Sequence, residues 1–225
     1  IADCICVENK IVYEWLVRDN SFLVKQLGID VLDASEHFAK MPRHPKFEKW
    51  RQAEISRVKA QEPSEHQWKG PIDRAAVEFS NRWLNTLFNQ KNFGKTNTFY
   101  HVNAKSQWPG GRQAVGIPSI IGTIIQWLAA CPDAQVTCDH VCTVPFDQEK
   151  DVIDIAIRWS LTGSFSSKDK RLSMYCGQDF FILGVSHLRL VDGKISEEWT
   201  VFDEVAAYAN LISDFNSVNH NTGAQ

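Results

Sequence analysis

The chain has 225 residues, which suits one or two domains, and its 44% hydrophobic and 23% charged shares are those of an ordinary core-forming protein. A formal net charge of −3 and the lack of any basic run argue against a nucleic-acid binder, which needs a basic face. No segment approaches the ~20 apolar residues that cross a bilayer, so no membrane contact is expected. The nearest, Ile117 to Ala130, is short and carries Gly122 and Gln126.

Residues 1–29 read as a strand, a tight turn at Glu8-Asn9-Lys10, a returning strand and a helix from Asn20 to Leu27. The start lacks a Met and the layout of a signal peptide, and further residues are expected before Ile1. Residues 30–70 read as a linking helix pair, Val31–Lys40 and Pro45–Gln61. Their Glu48, Arg51, Glu54, Arg57 and Lys59 are expected on a solvated face. A domain is expected over 71–212, with 213–225 as a flexible tail. It opens on the helix Asp73–Gln90, where Ala76, Phe79, Trp83, Leu84, Leu87 and Phe88 make one apolar stripe. A strand at Thr98–Ala104, a loop at Ser106–Gly111 and a helix at Ile117–Ala130 follow. Four strands are expected at Gln135–Val144, Asp151–Gly163, Asp179–Val191 and Ile195–Phe202, then a helix from Glu204 to Ile212. This order implies an α+β fold, one antiparallel sheet with helices on one side.

An internal repeat links the two ends. Val7 to Asp19 aligns without a gap to Val191 to Asp203 at a constant offset of 184, matching Val, Lys, Ile, Glu, Trp, Val and Asp. Each block is a hairpin running into a helix, so the chain opens and closes on the same unit.

Six cysteines lack any CxxC pair. Cys138, His140 and Cys142 share a face if that segment is a strand, which could suggest a metal. The reading adopted is core packing, with no metal or cofactor and free thiols in a reducing cytoplasm.

Strand alternation places Ile153, Ile155, Ile157, Trp159 and Leu161 on one face, expected to be apolar and interior. In the last strand Ile195, Glu197, Trp199, Val201 and Asp203 are expected together. Asp203 then has two readings: an N-cap for the helix at Glu204, or a partly desolvated general base. His187 in the neighbouring strand reads as a structural residue or as its partner.

Arg158-Trp159-Ser160-Leu161-Thr162-Gly163, Gly184-Val185-Ser186-His187-Leu188-Arg189 and Asp192-Gly193-Lys194-Ile195 through Glu197-Glu198-Trp199-Thr200-Val201-Phe202-Asp203 resemble the closing half of a SnoaL-like polyketide cyclase domain. That family lies within the nuclear transport factor 2-like superfamily. Ile1-Ala2-Asp3-Cys4 and Glu14 to Asn20 resemble the same block of a tandem member. The resemblance implies a strongly curved antiparallel sheet, a cystatin-like roll, with helices closing a cone-shaped pocket for an apolar small molecule. It implies cofactor-independent ring closure by aldol chemistry, with Asp203 as acid/base and His187 beside it. Trp199, Trp159, Tyr100, Trp108 and Ile157 are the expected pocket lining. It also implies pairing through the sheet, as a homodimer or an intramolecular pseudo-dimer. A non-catalytic binding module and an assembly domain are the alternatives.

Overall fold

The computed structural model describes residues 1–64, 73–147 and 151–222. The expected domain start at Pro71 lies outside the described residues. Six strands form one sheet in the order β4-β3-β8-β7-β6-β5. They are β3 (Tyr100–Trp108), β4 (Arg112–Val115), β5 (Gln135–Asp147), β6 (Val152–Ser164), β7 (Asp179–Val191) and β8 (Lys194–Phe202). All neighbours pair antiparallel except β3 and β8, which run parallel. β3 reaches β8 from a helix rather than through a hairpin, which leaves its direction free. The segment expected as a loop at Ser106–Gly111 instead completes β3, makes a 3-10 turn and leads into β4, which sequence reading missed.

Helices α4 (Arg74–Leu84) and α5 (Ile117–Ala129) close one face of this sheet, together with the start of α6 (Glu204–Thr222). α4 carries the predicted stripe: Ala76, Trp83 and Leu84 are buried, and the stripe continues through a π-type turn at Asn85–Asn89 that buries Leu87 and Phe88. Of the expected row, Ile155, Ile157, Trp159 and Leu161 line the interior with these residues, and Ile153, half-buried, packs against them. α6 runs ten residues past Ile212, through the segment expected to be a flexible tail, to Thr222.

The N-terminal third packs partly on the other side of the sheet and partly against α6. It comprises β1 (Ala2–Val7), β2 (Lys10–Leu16), α1 (Asn20–Gln26), α2 (Val31–Ala39) and α3 (Pro45–Lys59). α3 lies against β5, β6 and β7, and α2 lies against α6. The solvated face expected on α3 is corrected in two places. Arg51 is buried and held by Glu48 and Asp214 at 2.6 and 2.7 Å, and Arg57 is buried between Glu54 and Asp139 at 2.7 and 2.9 Å. Both guanidiniums enter the interior because carboxylates are there to meet them, which is the condition for burying a charge.

The repeat seen in sequence recurs in geometry. Asp3 pairs with Trp15 as His187 pairs with Trp199, and Cys4 with Glu14 as Leu188 with Glu198. A bulge falls between Ile5 and Cys6 and again between Arg189 and Leu190. Both turns place two residues at positive φ, Glu8 (49°) and Asn9 (60°), then Asp192 (48°) and Gly193 (73°), as the twist of a two-residue hairpin loop requires. Asp19 caps α1 through the Phe22 amide and Asp203 caps α6 through the Ala206 amide, each at 2.9 Å. Every equivalence keeps the offset of 184.

Candidate functional site

The bulge at Arg189/Leu190 changes which β8 residues face inward. Ile195 is interior, but beyond the bulge the inward residues are Glu198, Thr200 and Phe202, while Glu197, Trp199 and Val201 turn to the outer face. The single face expected for Ile195 through Asp203 is therefore split. Alternation carries a face along a strand only while the ladder is unbroken.

Inside the sheet, five elements contribute to one hydrogen-bonded chain centred on Glu198. From α4, Trp83 Nε1 donates to the Tyr100 hydroxyl at 3.1 Å, and Tyr100 in β3 donates to Glu198 Oε2 at 2.8 Å. From β6, Trp159 Nε1 donates to Ser186 Oγ in β7 at 3.0 Å; Ser186 stands 2.8 Å from Thr200 Oγ1, and Thr200 donates to Glu198 Oε1 at 2.7 Å. An indole N–H can only donate, so each relay has a fixed direction, and both end on the carboxylate. Because the Thr200 proton goes to Glu198, Ser186 must donate to Thr200.

Two opposing effects set the charge of Glu198. Complete burial disfavours the carboxylate, and the hydrogen bonds from Thr200 and Tyr100 favour it; the balance leaves its pKa raised to about 7. Burial and the neighbouring Glu198 push the Tyr100 phenol well above its ordinary value, so it stays protonated and donates. The arrangement is a buried carboxyl whose pKa lies near neutrality beside a phenolic donor.

Of the expected lining, Trp159, Tyr100, Trp108 and Ile157 are interior, and all are buried. Trp108 Nε1 donates to Ser106 Oγ at 3.2 Å, and Trp159 lies over Gly184, where any Cβ would run into its ring. Trp199 is on the outer face, with Arg189 5.7 Å from its ring centre. His187 is exposed on that face opposite Trp199; desolvation lowers its imidazole pKa against the pull of Asp154. Asp203 lies past the end of β8. It caps α6, accepts from Asn20 Nδ2 at 2.5 Å, and borders a shallow recess of about 200 Å³ with Phe38, Arg43, Phe47 and Ala209. Burial raises its pKa against the Ala206 and Asn20 hydrogen bonds. In register His187 is level with Trp199, four residues short of Asp203, so the strands do not set the two side by side. Glu198 was missed because alternation placed it outward. The repeat held the available signal, since Glu14 occupies the equivalent position.

Cys138 is half-buried, its thiol pushed up to about 12 by burial, and no group of three His, Cys, Asp or Glu among the described residues is arranged to hold a metal ion.

The family model for SnoaL-like polyketide cyclases matches residues 79–211, well over half of the chain. The chain belongs to the SnoaL-like polyketide cyclase family. The matched SnoaL-like span holds every member of the Glu198 relay, from Trp83 to Thr200. Solved structures share the SnoaL-like fold. A protein of Jannaschia sp. CCS1 named as a SnoaL-like polyketide cyclase is 17% identical, with 66% of this chain and 98% of that one aligned at a TM-score of 0.51. One of Acidithiobacillus ferrooxidans named as a polyketide cyclase is 16% identical over 64% and 98%, with a TM-score of 0.50. TsrD of Streptomyces laurentii is 18% identical over 64% and 99%, also at 0.50. No curated protein matches the chain. The architecture is the curved α+β roll of the nuclear transport factor 2-like type.

Proposed function

We propose that the SnoaL-like domain is a pocket protein of cyclase type in which Glu198 is the acid–base group, acting on an apolar ketide- or ring-like substrate. The observation that carries this reading is the pair of relays converging on one fully buried carboxylate that titrates near neutrality. As the carboxylate, Glu198 takes a proton from a carbon between two carbonyls. The enolate carbon bonds to a third carbonyl of the same molecule, and the proton held on Glu198 passes to the alkoxide so formed. Tyr100 donates its one proton to Glu198 Oε2 and holds the carboxyl in place. The chemistry calls on no metal or cofactor. In this reading Asp203 serves the site indirectly, by fixing the start of α6, and His187 stays outside it.

A second reading, a binding or assembly domain without turnover, is favoured by the filling of the interior. Trp83, Trp108, Trp159 and Phe202 are each at most 5% exposed, and the relay satisfies its own polar groups. Aromatic side chains more often pack than bind. In either reading, residues 1–29 are the closing hairpin and helix of a first SnoaL-like copy, set on the second as an internal pseudo-dimer. The shared register, bulge, turn and cap support this.

The test is ring closure of a synthetic poly-β-ketone ester, followed by chromatography. Glu198→Gln is expected to lose at least ~100-fold of the acceleration, the range of a general base, while Asp203→Asn keeps most of it. Full activity in Glu198→Gln would overturn the assignment. A wild-type protein that binds the ester and returns it unchanged would favour the second reading.

A further inference from the structure

The β1–β2 hairpin copies β7–β8 in register but not in burial. On the interior face of β7–β8, Leu188, Leu190, Ile195, Glu198 and Thr200 are buried in the domain core beneath its helices. Their counterparts at the offset of 184 are Cys4, Cys6, Ile11, Glu14 and Leu16. None of these is buried, and Ile11 and Leu16 are 62% and 49% exposed. The opposite face of the hairpin is in use. Trp15 lies under the Arg158 guanidinium at 3.9 Å, and Asp3 accepts from Arg158 Nε at 2.7 Å and His140 Nδ1 at 3.0 Å. The face left open is thus the one that, in β7–β8, is buried in the domain core. A hairpin of two strands with an apolar open face is marginal by itself, and its edges invite pairing.

We infer that this open face is the floor of a second SnoaL-like interior, covered by the strand-and-helix body of a first copy on the same polypeptide, with Glu14 as its buried carboxylate. The inference rests on the tandem reading above. The covering body has to supply what surrounds β7–β8: a parallel strand beside β2, an antiparallel strand beside β1, and a helix with an apolar stripe. The two interiors differ in chemistry. Leu16 stands at the position of Thr200 and Ala2 at that of Ser186, so the hydroxyl relay to one carboxylate oxygen is missing. That oxygen of Glu14 is left for a ligand hydroxyl, so the first interior would take a more polar, hydroxylated ring or ketide than the second.

Alkylation of native thiols tests the cover without reference to turnover, so it can fail while the Glu198 reading stands. Protein expressed from its complete reading frame is treated with iodoacetamide, and Cys6 is compared by mass spectrometry with Cys176, which is exposed in the second copy. Cys6 is expected to react at least ~10-fold more slowly, at every protein concentration. Equal rates would overturn the inference, and so would protection lost on dilution, which would assign the cover to another chain. In the same protein Leu16→Asp is expected to lower Tm by about 5 °C or more, as a charge placed in a core does. An unchanged Tm would overturn the inference as well.

Discussion

Glu198 illustrates how one residue can be held between two charge states. An isolated buried carboxyl would stay neutral, and one accepting two hydrogen bonds in water would stay ionised; here burial and the two relays oppose each other and its pKa comes to about 7. The consequence for stability has a definite sign. The folded-state pKa is above the unfolded value of 4.5, so the folded state binds the proton more tightly. Its contribution is complete below pH ~4.5 and is lost as pH rises to ~7, on the order of 3 kcal/mol across the window. Glu198→Gln has no proton to lose, and its amide oxygen accepts from one of the two relays where the carboxylate accepted from both. Its Tm is expected to stay flatter than the wild type's between pH 4.5 and 7 in thermal melts at several pH values. Parallel slopes for the two proteins would show that Glu198 carries no such shift.

At the scale of elements, the strands show where sequence reading succeeds and where it stops. Alternation in β6 was legible because β6 and β7 pair without interruption from Val152 to Ser164, and the interior row came out as expected. In β8 the same rule failed two residues from the turn, because the bulge at Arg189/Leu190 moves Glu198 inward and Trp199 outward. A bulge depends on both strands and leaves no mark in the composition of one. The parallel pairing of β3 and the burial of Arg51 and Arg57 were hidden for the same reason, since each is decided by a distant partner. Asp203 was legible in its capping role, because a cap is local: its carboxylate and the Ala206 amide are three residues apart. Its removal belongs to the helix it starts. Asp203→Ala is expected to cost α6 and the domain about 1 kcal/mol in urea denaturation, with the cooperativity of unfolding unchanged. A loss near zero would mean that neither the cap nor the hydrogen bond from Asn20 stabilises the domain measurably.

Across the whole molecule, the two faces of the sheet do different work. The inner face holds the hydrogen-bonded chain centred on Glu198, and the outer face holds an ionic layer that binds the N-terminal segment to the domain. In that layer Asp139 is buried with Arg57 at 2.9 Å and Ser160 at 2.6 Å, while Arg158 connects it at 3.6 Å to Asp3 of the hairpin. Burial works to raise the Asp3 pKa, but the hydrogen bonds from His140 and Arg158 outweigh it and hold the carboxyl below its ordinary value. A depressed carboxylate stabilises at pH above its unfolded value and loses that contribution as pH falls through the folded one, so strong acid should release the hairpin before it melts the sheet. The same release can be produced at neutral pH by Asp3→Asn, which leaves Arg158 buried with Trp15 and Asp139 but without its nearest anion. The expected cost is about 1–3 kcal/mol, that of a hydrogen bond to a buried charge, and it should appear in the hairpin alone. Hydrogen exchange resolved by segment checks this. Amides of β1 and β2 should exchange about 5- to 100-fold faster in Asp3→Asn, while those of β6 and β7 keep their protection, because local opening of a docked segment does not require the core to unfold. Faster exchange throughout would instead make the ionic layer part of the folding core, and the N-terminal segment inseparable from the domain it covers.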